Sequence, residues 1–141
     1  MRTRKMWAVI RIDHYLEDLF VDREKQESPA DILVTVTRLY DEPEVAAREV
    51  ARLSNLRDPA QIEYFSETTE VCSKSLGPEA VALIGLDDYR NGSRVAREQV
   101  RLGGVWESVR AATNHLNGER GVQTLWSIRK ARIGAPSVPT R

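Results

Sequence analysis

Asp41-Glu42-Pro43-Glu44 stands between two runs of strand-forming residues and constrains the fold more than any other stretch. Upstream, Ile32 to Tyr40 places Ile32, Val34 and Val36 on one parity and Leu33, Thr35, Thr37 and Leu39 on the other. That alternation of branched residues predicts a strand with one apolar face and one mixed face. The acidic tetrapeptide then starts a helix. Asp41 is placed to cap an orphan amide, Pro43 falls in the first turn where its missing N–H costs nothing, and Glu44 has capping-box spacing. Ala46, Val50 and Leu53 recur at i, i+4 and i+7, with Ala47 beside them. So narrow a stripe suits a helix lying on a sheet, and it puts Arg48, Glu49 and Arg52 on the outward face. Asn55 to Pro59 is a turn cluster, and Ile62 to Val71 is the returning strand. Two strands joined by one helix lie parallel in one sheet. Met6 to His14 (MWAVIRIDH) supplies another strand before them, so the first half reads β-β-α-β.

The second half can be read as a copy of the first. Ser73 to Pro78 is a linker. Val81 to Tyr89 (VALIGLDDY) set beneath Trp7 to Tyr15 (WAVIRIDHY) matches Ala8 with Ala82, Ile10 with Ile84, Asp13 with Asp87 and Tyr15 with Tyr89. Further on, Arg38-Leu39 aligns with Arg101-Leu102, Phe65-Ser66 with Trp126-Ser127, and Val71 with Ile133. A second helix is expected over Val105 to Leu116, with a stripe at Val105, Val109, Ala112 and Leu116 and Gly118 to end it. The expected architecture is α+β: a tandem β-β-α-β module of about six strands and two helices. Its boundaries are 1–74 for the first module, 75–133 for the second and 134–141 for a flexible tail. The alternative is a β-β-α-β module followed by an all-helical second half, because Ala80, Val81, Leu83 and Ile84 also fit a helical period. Gly85 opposes a helix there by about 1 kcal/mol. Residues 79–102 are where the two architectures diverge.

Composition excludes several classes. With 41% apolar and 30% charged residues the chain is globular rather than disordered. No apolar run reaches the ~20 residues of a membrane span. Arg2, Arg4 and Lys5 before MWAVI imitate a secretion signal, but Arg11 and Asp13 interrupt the apolar run too early. A cytoplasmic protein without membrane contact is expected, and the lone Cys72 agrees, since it allows neither an internal disulfide nor a thiolate-built zinc site. Residues 1–74 carry a net charge of −4 and residues 75–141 a net charge of +4. This split permits head-to-tail self-association, although ordinary scatter of surface charge produces similar splits.

No chemistry-bearing motif stands out. None of the serines sits in a glycine elbow, and Gly103-Gly104, read as a strand-to-helix turn, lacks the lysine and further glycines of a phosphate loop. No enzymatic activity, cofactor or metal is expected. Asp13-His14 and Asp87-Asp88 are the weak metal candidates: a repeat would put them at equivalent strand ends, where Asp more ordinarily starts a turn. The long connection Tyr15 to Ala30 carries Leu16, Leu19 and Phe20 at helical spacing. That triplet reads as a flap over the sheet end or as a partner-binding surface. Arg97, Arg101, Arg129, Lys130 and Arg132, with Trp126 nearby, offer a nucleic-acid surface as the alternative, against which stands the absence of a basic excess. The expected function is therefore that of a small non-enzymatic adaptor or inhibitor with a protein partner. Nucleic-acid binding through the second module is the alternative.

Overall fold

The computed structural model describes residues 4–14, 33–56, 58, 61–88, 95–118 and 124–134. Within them run β1 (Lys5–Asp13), β2 (Val34–Tyr40), α1 (Pro43–Ser54), β3 (Ile62–Glu70), β4 (Glu79–Asp87), β5 (Val100–Trp106), α2 (Val109–Gly118) and β6 (Thr124–Ile133), with a 3-10 turn at Arg97–Gln99 before β5. The class is α+β, and all six strands form one mixed sheet in the order β3-β1-β2-β6-β4-β5. An all-helical second half is not formed. Every residue of β4 from Ala80 to Leu86 is buried, so it reads as a continuous apolar run in which strand and helix periods look alike.

In the first half β1 runs antiparallel to both β2 and β3, so β2 and β3 are parallel with β1 between them. In the second half β4 runs antiparallel to both β5 and β6 in the same way. The halves meet where β2 pairs in parallel with β6, Arg38 opposite Arg132 and Leu39 opposite Ile133.

Burial shows how the sheet is closed. One apolar cluster gathers Met6, Ala8, Ile10 and Ile12 of β1 with Ala80, Ala82, Ile84 and Leu86 of β4 and residues of the other four strands, and it contains no residue of α1 or α2. Each helix covers the reverse face of its own half. Ala46, Val50 and Leu53 of α1 pack on Val9 and Tyr40, while Ala112 and Leu116 of α2 pack on Val81 and Leu83. A cluster that draws on all six strands and on neither α1 nor α2 places the strands around a shared interior. The sheet therefore curls into a narrow barrel with α1 and α2 outside. Its two outermost strands meet at one end, where Val71, just past β3, bridges in parallel to Val105 of β5 and the Cys72 N–H donates to the Val105 carbonyl. Small inner residues such as Ala8, Ala80, Ala82 and Ala131 suit a barrel narrow enough for side chains to fill.

Several local expectations are corrected. Asp41 does not cap α1; Glu42 holds the cap position, and Asp41 instead accepts from Arg4 at 2.6 Å, which ties the start of β1 to the end of β2. Glu49 does not point outward and is only 2% exposed. It lies three residues from Ala46, on the flank of the same stripe, and Tyr40 supplies the donor that makes a carboxylate tolerable there. Val105 belongs to β5, and Val109, at the start of α2, is 42% exposed. The second helix starts later because Gly103-Gly104 lies inside a strand. The Trp126 ring lies across both Gly103 and Gly85, so that a Cβ at either would stand within 3 Å of it. The tail from 135 onward and the connection from 15 to 32 lie outside the described residues.

Candidate binding site

Beyond the Val71–Val105 bridge, no ladder among the described residues joins β3 to β5. The two strand edges are left without a ladder between them toward the barrel end where β1 and β4 finish. Between them lies a cleft of about 360 Å³. Glu67 and Thr68 line it from β3, Val100, Arg101 and Leu102 from β5, and Asp87 and Glu98 complete its rim. Antiparallel pairing sets which way each side chain points. Glu67 stands opposite Ala8, an inner residue, so Glu67 shares the inner face of the sheet. Thr68 stands opposite Trp7, which packs on the helix side.

Two polar networks flank the cleft. In the first, Glu63 at the start of β3 accepts from Arg97 of the 3-10 turn and stands 3.0 Å from Nε2 of His14. The Arg97 guanidinium also lies 5.0 Å from the centre of the Phe65 ring. Arg97 thus spans the mouth of the seam from the β5 side to β3, by an ion pair and a cation–π contact. Burial pushes the Glu63 pKa up, but the hydrogen bonds from Arg97 and His14 outweigh it and hold the carboxyl below its ordinary value. The His14 side chain is 3% exposed, and its Nδ1 has no partner among the described residues. In the second network, Asp87 pairs with Arg101 at 3.0 Å and accepts from the Thr124 hydroxyl at 2.5 Å, while Gln99 donates to the Asp87 carbonyl at 3.0 Å. These contacts fix the turn that feeds β5 against the end of β4. Glu67 belongs to neither network. It remains exposed, yet the protein around its carboxyl raises its pKa above the ordinary carboxylate value.

The residues singled out from the sequence are distributed as follows. Leu16, Leu19 and Phe20 lie outside the described residues. Asp13 stands 3.6 Å from Arg11, His14 beside Glu63, and Asp87 beside Arg101, while β1 and β4 are separated in the sheet by β2 and β6. Asp88 is exposed in a turn with φ of 49°. Among the described residues no three His, Cys, Asp or Glu side chains gather as a metal site would require. The five basic candidates do not form one surface. Arg97 and Arg101 sit at the seam against carboxylates, whereas Arg132 stands opposite Glu79 at the other end of β4 and Arg129 shares the inner face with Ala82. Lys130 lies exposed beside the start of α2, near Ser108 and Val109. Cys72 is exposed, and partial burial of its thiol pushes its pKa up.

Sequence reasoning passed over Glu63 and Glu67. A signal was present: in IEYFSETTEV the parity that carries Phe65 and Val71 also carries both glutamates, a break in apolar alternation on the face that turns inward.

Comparison with protein-family models, with curated proteins and with solved structures gives no match. No helix among the described residues is long and apolar enough to cross a membrane.

Proposed function

We propose that this chain is a small non-enzymatic binding protein that receives a partner protein as an extended segment laid along the β3–β5 seam. One observation carries the reading: two strand edges face each other across a cleft and pair at only one end. Unpaired strand edges are templates for another strand, with main-chain bonds giving affinity and alternate side chains giving selectivity. What favours recognition over reaction is the lining, in which strand edge, apolar Val100 and Leu102 and the ion pair of Asp87 with Arg101 stand beside Glu67, Thr68 and Glu98. A cytoplasmic setting belongs to the same reading and is supported by the lone, exposed Cys72.

The proposal extends to the origin of the barrel as a tandem duplication. Its support is in the registers. Ala8 pairs with Leu39 as Ala82 pairs with Val105, and each ladder has one extra residue on its second strand. The Val71 N–H donates to the Arg4 carbonyl as the Ile133 N–H donates to Pro78, and Cys72 to Val105 as Gly134 to Leu39. On this pairing Leu39 corresponds to Val105 rather than Leu102, and Phe65 to Ser127 rather than Trp126. The β3–β5 seam is then the counterpart of the β2–β6 junction.

Backbone amide exchange tests the reading. Peptides selected from a displayed random library on the full chain are added to labelled protein. Fast-exchanging amides of Ser66 to Glu70 and Val100 to Leu102 are expected to become protected. Binders that protect only helix amides and leave β3 and β5 unchanged would refute the seam as the binding site.

A further inference from the structure

Resting on the seam reading, we propose that the seam selects an extended segment carrying a lysine or arginine, whose cation is received by the Glu67 carboxylate. Two of the carboxylates around the cleft are matched by cations, and Glu67 on its inner face is not. Asp87 has Arg101 and Glu63 has Arg97, whereas Glu67 has no hydrogen bond or ion pair among the described residues. Its carboxyl is crowded enough by protein for burial alone to raise its pKa. A carboxylate in that position gains more from an arriving cation than a fully solvated one, because less water screens the pair. Glu98 on the opposite rim adds charge of the same sign, so the cleft repels acidic segments.

The other half of the barrel supplies an independent argument. Arg129 stands opposite Ala82 on β6 as Glu67 stands opposite Ala8 on β3. At that corresponding inner position the barrel accommodates a guanidinium with its Nε and Nη2 atoms inaccessible to solvent. A small alanine across the ladder leaves the room in both cases. On β3 the corresponding place is held by Glu67, whose shorter side chain brings the counter-charge to the cleft, while the cleft's own Arg101 is paired with Asp87.

The test uses the full chain and a displayed library of random decapeptides, selected in parallel on the parent, on Glu67→Gln and on Glu67→Lys. Parent-selected peptides are expected to carry Lys or Arg at one fixed step. Their affinity should fall about fivefold on Glu67→Gln, the size of a partly screened ion pair. It should also fall with added salt in the parent and much less in the variant. Glu67→Lys should select Asp or Glu at the same step. Glu67→Gln keeps the shape of the side chain, so it remains informative should the lysine variant fail to fold. Seam-bound peptides without basic enrichment, or basic peptides indifferent to Glu67→Gln, would overturn the charge selection and leave the seam reading standing. No peptide protecting β3 and β5, or a seam filled by a second copy of this chain as seen by sedimentation and amide exchange, would overturn both.

Discussion

Tyr40 donates its phenolic hydrogen to Glu49 across 2.8 Å, joining the end of β2 to the buried side of α1. Arg52, three residues along the helix, holds the other carboxylate oxygen. Burial pushes the Glu49 pKa up, and the bonds from Arg52 and Tyr40 outweigh this and bring it below the ordinary carboxylate value. Burial, then the bond to Glu49, pushes Tyr40 up to about 12. The triad is the polar part of an otherwise apolar helix–sheet contact.

The triad makes a prediction in both directions of pH. A depressed carboxyl pKa stabilises the fold above the unfolded value, and the gain is lost as pH falls through the folded value. A raised phenol pKa stabilises it below the unfolded value near 10.0, and the gain is lost as pH rises toward about 12. Tyr40→Phe leaves one buried carboxylate oxygen short of a donor and should cost about 1–3 kcal/mol near neutrality in urea melts. It should also remove the alkaline loss expected of the parent in that window. A variant as stable as the parent, with an unchanged alkaline limb, would mean that the bond contributes nothing.

Gly104 carries a second prediction. Its φ is +103°, and a Cβ there would lie 2.6 Å from Sγ of Cys72. Gly104→Ala should therefore destabilise by about 2 kcal/mol, through backbone strain and contact together. Cys72→Ala added to it should recover only the contact part. Full recovery in the double variant, measured by denaturant midpoint, would show that the backbone is not strained.

What was legible in the sequence was what neighbours along the chain decide. The α+β class, β1, the β2–α1–β3 unit and the strand ends at Asp13 and Asp87 follow from alternation and Pro43, whereas residues 79–102 stayed open between strand and helix because β4 is apolar throughout. The closure of the sheet did not follow, because it depends on partners far apart in the chain, such as Val71 with Val105 and Leu39 with Ile133. Gly103 and Gly104 read as a turn because nothing local reveals that Trp126 lies across the first and Cys72 beside the second. Glu49 read as outward because helical period gives a stripe and not its width, and Arg52 and Tyr40 together make the flank habitable for a charge. Glu67 escaped notice for the complementary reason: its inner face is set by pairing with Ala8, and its lack of a counter-ion is a property of the cleft.

Val50 gives the most direct check on the helix–sheet contact. It packs, partly buried, with Val9, Tyr40 and Ala46 beneath α1. Aspartate at this site would bring a second carboxylate beside the cluster that already holds Glu49. Tyr40 and Arg52 are both engaged with Glu49, so the new charge would find no donor and would repel its neighbour. Val50→Asp should cost about 3 kcal/mol, which for a chain of this length lowers the melting temperature by roughly 10 °C. Ala47→Asp, on the exposed face of the same helix, controls for helix propensity and net charge and should shift it by little. Equal shifts in the two variants would show that α1 does not rest on the sheet through this stripe.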